Sequence, residues 1–408
     1  MNSKEKMTIP FFKPSIGQEE KDTVMEVLDG GWLTTGKFCK RFEEEFADYV
    51  GAKYAIALNS CTAALHLALD AVGVQSGDTV LVPTQTFAAT AEVVRYFGAR
   101  PVMVDCDAKA LLIDPDKLDA AAAEWAKTGT LKAMIPMHYG GQMVDCDRMK
   151  AIADKYGIAL IEDAAHTLPA YYRSNEQSPW RPAGSTAPIT CFSFYANKCI
   201  TTGEGGMVTT DDEKLAERMR MMSLHGLSKN AWSRFEAKGS WYYEIVEAGY
   251  KYNLTDVAAA VGLGQLHRAN ELWQERRRLA ARYHELLAPL AEFVEVHPEL
   301  ENRQSSWHLY PLKLKLDTLS IDRAQFIDEL KEHGITCSVH WMPLHLHPYY
   351  VKNYGYQPDD FPVANAVWQR LVSIPLYPGM TEEQQQYVVN AVGAVARQNV
   401  KKREAVLA

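Results

Sequence analysis

The sequence is poor in cysteine, and the few cysteines are arranged in a way that excludes two classes of protein. There are seven in 408 residues, an odd number, and no two form a Cys-x-x-Cys pair. This content is far below that of a disulfide-stabilised scaffold, and scattered single thiols are typical of a reducing compartment. A thiolate zinc site is also disfavoured, because its ligands usually come in closely spaced pairs.

Positive charge and long apolar runs are scarce too. Lysine and arginine number 43 against 51 aspartate and glutamate, and the net charge of −8 argues against binding to nucleic acid or anionic membranes. The longest largely apolar stretch, residues 62–74, is too short to span a bilayer. The first eight residues lack the apolar core of a signal peptide. We therefore expect a soluble, cytoplasmic protein with no nucleic-acid or membrane partner.

The phosphate-binding and metal-binding signatures of several common enzyme classes are absent or incomplete. No Gly-x-Gly-x-x-Gly follows a predicted strand, so a dinucleotide-binding oxidoreductase would lack its phosphate turn. Residues 31–37 match the first part of a P-loop, but Phe38 stands at the magnesium-binding Ser/Thr position. His340, His345 and His347 cluster without a carboxylate or cysteine, which favours a substrate-lining loop over a metal site.

What the sequence does contain, from about residue 50 to 210, is an alternation of short apolar runs and helical patterns. The predicted strands are residues 54–58, 79–82, 102–105, 132–137, 159–162, 190–194 and 207–210. The predicted helices include residues 62–69, 88–97, 115–125 and 146–156. Continuous apolar strands are expected where helices cover both faces of a parallel sheet. The pattern therefore predicts an α/β large domain, residues 10–265, with a mostly parallel sheet of seven strands.

A smaller α+β domain is predicted for residues 266–408. Residues 266–287 form a long, charged helical pattern, and its arginine run at 276–278 is interpreted as part of a solvated face. The remaining predicted elements are strands at 306–316 and 336–341 and helices at 321–333 and 381–396.

Polar or reactive residues follow four of the predicted strands, at the carboxyl edge where parallel sheets bind ligands. The first segment, residues 59–64, opens a helix with small and hydroxyl side chains. It would bind a phosphate, unless Ser60 only caps the helix. In the second segment, Phe87 follows the strand that ends at Val82. Its ring would either stack on a planar cofactor or belong to the core.

The third and fourth segments carry an acid and an amine. Asp163 follows an apolar strand and needs a cationic partner there, such as a protonated ring nitrogen, unless it caps the next helix. Lys198 lies between an apolar strand and the glycine-rich residues 203–206. Such an amine is expected to have a lowered pKa and to form a Schiff base, the alternative being an ordinary exposed lysine. A phosphate cradle, an aromatic stacker, a buried acid and a Schiff-base lysine together indicate a pyridoxal 5'-phosphate site.

Six separated motifs resemble those of the DegT/DnrJ/EryC1/StrS sugar aminotransferase family, and they occur in the same order. They are Ser60-Cys-Thr-Ala-Ala-Leu65, Pro83-Thr-Gln-Thr-Phe87, Pro136-Met-His-Tyr-Gly140, Ile161-Glu-Asp-Ala-Ala-His166, Phe192-Ser-Phe-Tyr-Ala-Asn-Lys198 with Thr202-Gly-Glu-Gly-Gly206, and Gly249-Tyr-Lys-Tyr-Asn-Leu-Thr-Asp256. The resemblance covers about residues 10–392. It implies the aspartate aminotransferase fold of type I, with a large domain that binds pyridoxal phosphate and a small C-terminal domain.

The resemblance also implies roles for individual residues at the cofactor. Lys198 would hold the cofactor aldehyde, Asp163 would pair with the pyridine nitrogen, and Phe87 would stack on the ring face. His166, where many members have Gln, would lie near the phenolic oxygen. The residues implied at the phosphate are Thr62, Ala63 and Ser193.

Other residues are implied on the substrate side. Those that resemble substrate-loop residues of the family are Thr34, His340 and His345. Asn253 resembles a residue that reaches the phosphate of the neighbouring subunit's cofactor, which implies a homodimer with shared active sites. Residues 229–251 interleave aromatics with bases, among them Lys251, and would hold a sugar ring and a diphosphate or else form an interface loop.

The implied reaction moves an amino group from L-glutamate or L-glutamine to a nucleotide-linked keto sugar, best a 4-keto-6-deoxyhexose, with ping-pong kinetics. It would serve amino-sugar, surface-polysaccharide or glycoside biosynthesis. A ketocyclitol aminotransferase stays open. A cofactor-binding regulator without turnover is opposed by the intact pair of Lys198 and Asp163. A pyridoxamine-dependent sugar dehydratase of the same fold is opposed by Lys198, since such members carry His there. Residues 174–189 depart from the family in lacking a Gly-Asp pair before the lysine strand.

Overall fold

The computed structural model describes residues 7–227 and 243–401. The helices are α1 (Gln18–Gly30), α2 (Lys37–Val50), α3 (Cys61–Ala71), α4 (Ala88–Tyr96), α5 (Pro115–Ala126), α6 (Cys146–Tyr156), α7 (Glu213–Met222), α8 (Asp256–His267), α9 (Ala269–Leu287), α10 (Arg323–Glu332), α11 (Pro348–Tyr354), α12 (Pro362–Trp368) and α13 (Glu382–Gln398). The strands are β1 (Tyr54–Leu58), β2 (Thr79–Pro83), β3 (Arg100–Val104), β4 (Leu131–Met134), β5 (Ala159–Asp163), β6 (Tyr171–Tyr172), β7 (Arg181–Pro182), β8 (Ile189–Ser193), β9 (Gly206–Thr210), β10 (Val294–Val296), β11 (Arg303–Gln304), β12 (Tyr310–Leu314) and β13 (Leu371–Ile374). Within these two ranges, no helix has both the length and the apolar character needed to cross a membrane.

Seven of the strands form one sheet in the order β1-β9-β8-β5-β4-β2-β3. The pairs from β8 to β3 along this order are parallel, and β9 runs antiparallel to both β1 and β8. All seven apolar runs between residues 54 and 210 that were predicted as strands lie in this sheet. The predicted α/β fold with a mostly parallel, seven-stranded sheet is confirmed.

The burial of these strands explains their composition and positions the candidate site. Every residue of β2 is buried, and β5 is buried from Leu160 to Asp163, because helices cover both faces of the sheet. Four strands of common direction end at one edge of the sheet, and their last residues are Leu58, Pro83, Asp163 and Ser193. The segments that were singled out in the sequence therefore start along one edge of the sheet, with β9 between β1 and β8 and β4 between β5 and β2.

One predicted strand is wrong. Residues 336–341 form no strand and make only an isolated bridge, from Ser338 to β13. The carbonyl group of His340 accepts hydrogen bonds from the side chains of Gln85 and Tyr139 rather than from a neighbouring strand. Contacts with distant side chains thus replace the ladder that the local β-propensity predicts.

The helix predicted over residues 266–287 is two helices. Arg268 interrupts it with φ −98° and ψ 0°, and its guanidinium binds the carboxylate of Glu20 at 3.0 Å. The interpretation of the arginine run as solvated is wrong for Arg276, which is 4% exposed. Arg276 lies one helical turn after the buried Leu272 and therefore faces the interior with it.

Two clusters of buried apolar side chains fill the described part of the chain. The larger packs the seven-stranded sheet against its helices. The smaller joins Ile9 to α9, α10, α13 and a three-stranded sheet of order β10-β12-β13. The proline-rich residues 174–189 contribute β7 to a third sheet, of order β11-β6-β7. The domain division at residues 265 and 266 stays a prediction.

Candidate active site

The start of α3 lies directly beyond β1 and carries the predicted phosphate site. Ser60 is the N-cap, and its Oγ accepts a hydrogen bond from the N–H of Ala63 at 3.1 Å. The N–H of Thr62 makes no hydrogen bond within the described residues. Capping therefore uses only some of the first-turn donors, and the positive end of the helix dipole is available to an anion.

A close approach of two backbones forms the floor beside this helix start. Gly206 pairs with Leu58 on one side and with Ser193 on the other. A Cβ at Gly206 would lie 2.4 Å from the carbonyl carbon of Ser60, so a larger residue would force the two segments apart. Because β9 lies between β1 and β8, Ser193 is two strand spacings, roughly 10 Å, from the strand that leads into α3.

Asp163 ends β5 with its carboxylate buried. Its Oδ2 accepts a hydrogen bond from Oγ1 of Thr90 at 2.8 Å, and its Oδ1 accepts one from the N–H of Ala165 at 3.1 Å. Between Asp163 and α7 the chain forms no helix, so Asp163 does not cap one. Burial raises the pKa of Asp163, and both hydrogen bonds and the charge of Lys198 oppose that shift. A cation at this carboxylate would therefore be stabilised.

Lys198 lies in a turn after β8. Its backbone N–H donates a hydrogen bond to the carbonyl of Tyr195 at 2.9 Å. Its side chain is partly buried, and within the described residues Nζ makes neither a hydrogen bond nor an ion pair. Burial lowers the pKa of Lys198 to about 8, although Cys61 and Asp163 act in the opposite direction. At pH 7 about a tenth of such amines are neutral, against roughly one in three thousand at the reference pKa. The neutral amine is the form that attacks an aldehyde.

Three rings lie at the same edge of the sheet. Phe87 is the N-cap of α4 and is 59% exposed, so it does not belong to the core. Its ring lies 6.3 Å from that of Trp341, which stacks on His166 at 5.1 Å. Nδ1 of His166 accepts from the N–H of Gly140 at 3.2 Å, which leaves Nε2 to carry the proton of the neutral ring. Burial and the charge of Lys198 hold the pKa of His166 well below its usual value.

The two histidines expected near the substrate differ in their surroundings. His340 stacks on Phe11 at 5.4 Å, and its Nδ1 lies 2.9 Å from Oγ of Ser373. Burial lowers the pKa of His340 to about 3, so its ring is neutral. His345 is fully buried, with Nδ1 2.7 Å from Oγ1 of Thr84. A substrate contact by His345 stays a prediction. Its hydrogen bond to Thr84, the residue after β2, favours a role in holding the end of that strand.

Thr34, Lys251 and Asn253 line a cavity of about 1350 Å³, and the backbone of Asn253 bridges Leu58 at the end of β1. We call it the Asn253 cavity. Oδ1 of Asn253 contacts Nζ of Lys251, and its Nδ2 donates to Oγ1 of Thr35 at 2.7 Å. The residues gathered at the sheet edge, which we call the lysine site, are not in its described lining: Thr62, Ala63, Phe87, Asp163, His166, Ser193 and Lys198. Of the other aromatics and bases expected to hold the sugar and diphosphate, Tyr243 is exposed. Trp232, Arg234, Trp241 and Tyr242 lie outside the described residues.

The P-loop-like residues 31–37 lead into α2, and a carboxylate of the protein itself fills the anion position there. Asp256 is buried, and its Oδ1 accepts hydrogen bonds from the N–H groups of Gly36 at 2.7 Å and Cys39 at 2.9 Å. The element before the loop is α1 rather than a strand. The donors that would bind a nucleotide phosphate are therefore already used.

The chain matches the sequence profile of the DegT/DnrJ/EryC1/StrS aminotransferase family over residues 14–393. The chain belongs to this family. SpsC, a spore coat polysaccharide biosynthesis protein of Bacillus subtilis, is 43% identical over 390 residues, 95% of this chain and 97% of SpsC. Spr1654 of Streptococcus pneumoniae is 32% identical, and each of its two structures named here covers 96% of this chain. The pyridoxamine phosphate form is covered over 98% of its own length with a TM-score of 0.87. The pyridoxal phosphate form is covered over 99% with a TM-score of 0.86.

A third relative extends the comparison. Helicobacter pylori PseC, an aminotransferase involved in the biosynthesis of pseudoaminic acid, is 26% identical over 96% of this chain and all of its own, with a TM-score of 0.86. This member of the DegT/DnrJ/EryC1/StrS family is thus an enzyme, an aminotransferase, and its cofactor is pyridoxal phosphate.

The lysine site of this DegT/DnrJ/EryC1/StrS aminotransferase fits that cofactor in the chemistry of its groups. Lys198 offers to an aldehyde an amine that no described residue hydrogen-bonds, and Asp163 offers a buried carboxylate to a protonated ring nitrogen. Phe87 offers an exposed ring face, and the start of α3 offers N–H donors to a phosphate. Sequence reasoning missed Thr90, whose hydroxyl holds Asp163. The only sequence signal for it is a hydroxyl on the inner face of a predicted helix.

Proposed function

We propose that this aminotransferase moves the amino group of L-glutamate or L-glutamine to a nucleotide-linked keto sugar, a 4-keto-6-deoxyhexose. The names of SpsC and PseC, which refer to a spore coat polysaccharide and to pseudoaminic acid, support a role in amino-sugar or glycoside biosynthesis. We place this reaction in the cytoplasm. One observation carries the aminotransferase chemistry: Lys198 lies in the turn after β8, and the buried carboxylate of Asp163 ends β5, the strand that pairs with β8.

The lysine does two tasks in the proposed reaction. Pyridoxal phosphate, when bound, supplies an aldehyde that exchanges amines and a ring that accepts electrons from the reacting carbon. Nζ of Lys198 holds the aldehyde between turnovers. Once released from the aldehyde, Nζ would take the proton from the donor α-carbon and return it to the carbon that carried the aldehyde oxygen. Its pKa of about 8 suits both directions of transfer near neutral pH.

Asp163, Phe87 and His166 hold the cofactor ring in the proposed site. The carboxylate of Asp163 is fixed by Thr90 and by the N–H of Ala165, so it keeps the ring nitrogen protonated without turning away. The exposed face of Phe87 covers the ring. Nε2–H of the neutral His166 donates to the phenolic oxygen. The residues proposed for the phosphate are Thr62, Ala63 and Ser193.

We also propose a homodimer in which Asn253 of one chain reaches the phosphate at the lysine site of the other. The lysine-site residues do not line the described part of the cavity that Asn253 lines, and this supports the arrangement. Thr34 and Lys251, which line the same cavity, would then contact the diphosphate or sugar of the acceptor. His340 of the other chain would contact the same substrate. In the free chain, Lys251 and Asn253 bond each other.

Borohydride reduction of the purified enzyme tests the core of this proposal. Digestion after reduction should yield one pyridoxyl-labelled peptide, with the label on Lys198. A label on another lysine, or none, would overturn the assignment. The acceptor is tested separately, by loading the enzyme with pyridoxamine phosphate and offering nucleotide-linked keto sugars and ketocyclitols. Faster return of the pyridoxal absorbance with a ketocyclitol would replace the proposed acceptor.

A further inference from the structure

Two threonine hydroxyls lead from the start of α4 to the carboxylate of Asp163. Oγ1 of Thr86 lies 2.7 Å from Oγ1 of Thr90, which in turn lies 2.8 Å from Oδ2 of Asp163. All three side chains are buried. Among the described residues, Thr90 contributes the only side chain that hydrogen-bonds this carboxylate. The three groups therefore form one hydrogen-bonded chain that is shielded from solvent.

The direction of this chain follows from the protons that its members can donate. An ionised carboxylate only accepts hydrogen bonds, so Thr90 donates to Asp163. A hydroxyl group has a single proton to donate, so the oxygen of Thr90 must accept in its bond with Thr86. Thr86 is therefore the donor at the far end. Its bond fixes the hydroxyl of Thr90 with the proton on Asp163, and bonds arranged in this way strengthen one another.

Phe87 lies between the two threonines and depends on the same bond. It is the N-cap of α4, a position usually held by a side chain that accepts from a first-turn N–H, but Phe87 makes no such bond. The bond from Thr86 to Thr90 instead ties the residue before the N-cap to the first turn of α4. The two hydroxyls thus hold both the exposed ring of Phe87 and the acid of the lysine site.

We propose that Thr86 is a positioning residue that acts through Thr90 to keep the carboxylate of Asp163 ionised. This inference rests on the proposed function, in which Asp163 keeps the nitrogen of the cofactor ring protonated. Burial raises the pKa of Asp163, and the hydrogen bond from Thr90 acts against that shift. Without the hydroxyls, the carboxylate would draw the shared proton away from the ring nitrogen. The electron-accepting chemistry that the cofactor supplies would then weaken.

The proton can be observed by ¹⁵N NMR of the holoenzyme, reconstituted with pyridoxal phosphate labelled at the ring nitrogen. The wild type should give the signal of a protonated ring. Thr90→Val, which keeps the shape of the side chain and removes its hydroxyl, should move the signal toward that of a neutral ring and lower kcat about tenfold. Thr86→Val should move the signal less, in the same direction, and lower kcat about threefold.

The double variant tests whether Thr86 acts through Thr90. Without the hydroxyl of Thr90, that of Thr86 has no connection to Asp163, so Thr86→Val/Thr90→Val should match Thr90→Val in both signal and kcat. Thr86→Ser and Thr90→Ser keep the hydroxyls and should stay within about twofold of the wild type in kcat. Effects of the two Val substitutions that simply combine in the double variant would overturn the chain.

Thr84→Val is the matched control for the loss of a buried hydroxyl. Thr84 is as fully buried as Thr86 and lies two residues before it, but its Oγ1 lies 2.7 Å from Nδ1 of His345. This control should lower the melting temperature, as the other Val variants do, and leave the ¹⁵N signal at its wild-type position. A signal that moves equally in all of them would indicate a general loss of packing and would refute the inference.

The NMR readout uses no keto sugar, so the proposed acceptor can fail without affecting it. Asp163→Asn supplies the reference signal of a nitrogen that has lost its acid. A wild-type nitrogen that is protonated, and stays so in Thr86→Val and Thr90→Val, would refute the threonine chain and leave the proposed role of Asp163 intact. A neutral nitrogen in the wild type would refute both.

Discussion

The lysine site and the Asn253 cavity differ in how their polar groups are paired. At the lysine site the amine of Lys198 has no partner within the described residues, although burial shifts its pKa. Along the Asn253 cavity, Asn253 bonds with both Lys251 and Thr35. A buried polar group left unpaired costs free energy that a ligand can offset, whereas a mutually bonded set is stable without one. The first pattern is the one expected where a ligand reacts, and the second is stable without a ligand.

The Asn253 cavity is also large, with a volume of about 1350 Å³. Small-molecule sites usually measure about 300–1,000 Å³. The cavity therefore suits an occupant beyond a single small substrate, such as the second chain of the proposed dimer. Variants in the two regions should then fail in different ways.

Lys198→Ala should have the largest effect. It should fold and lose about 10,000-fold or more of its steady turnover, because both the anchor of the aldehyde and the proton carrier disappear with the amine. Lys251→Ala, which removes an amine of the Asn253 cavity, should lose about tenfold or less, mainly through the KM of the acceptor. Steady-state kinetics and the cofactor absorbance measure both. Similar losses in the two variants would erase the distinction drawn above.

Asp163→Asn should come next, with a loss of about 100- to 1,000-fold in kcat, because a neutral side chain no longer keeps the ring nitrogen protonated. The matched control is Glu162→Gln on the opposite face of β5, where Glu162 lies 3.4 Å from His138. That variant should lower the melting temperature and keep kcat within about threefold. The assignment of Asp163 fails if Glu162→Gln is the slower enzyme.

A hybrid dimer tests whether the two regions meet across chains. Asn253→Asp places a carboxylate against the expected phosphate and should reduce activity by about 100-fold as a homodimer. Co-expression with Lys198→Ala under two affinity tags yields hybrids in which one of the two sites is intact. These should recover about half of the wild-type activity if the sites are shared. Hybrids as inactive as their parents would show that Asn253 serves its own chain.

The positions of the lysine-site residues could be predicted because each follows a strand buried on both faces. Asp163 and Lys198 are recognisable as polar residues after continuous apolar runs, and Ser60 as the cap that ends such a run. Phe87 was ambiguous, since an aromatic after a strand suits a core as well as a cofactor. Only its exposure in the folded chain decides between the two.

What could not be predicted are the contacts between distant segments. Thr90 and Asp163 are 73 residues apart, and Asn253 and Thr35 are 218 apart, so no local pattern announces either bond. Arg276 is a different case. Its exposed neighbours suggested a solvated face, yet its spacing from Leu272 repeats the buried helical period. Weighing that period above the local charge would have predicted its burial.

The smallest predicted effect concerns pH and the lysine site alone. Because burial lowers the pKa of Lys198 to about 8, the rate at which the apoenzyme captures pyridoxal phosphate should rise about tenfold per pH unit below 8 and level off above it. Absorbance stopped-flow measures this rate. Lys198→Ala, followed by fluorescence, gives the pH dependence of non-covalent binding and is subtracted. A rate that keeps rising to pH 10 would mean that the amine keeps its ordinary pKa and is not desolvated by its surroundings. If substitution of Lys251 shifted the pH dependence of this rate, the charge at Lys251 would influence the pKa of Lys198, and the two regions would be electrostatically coupled.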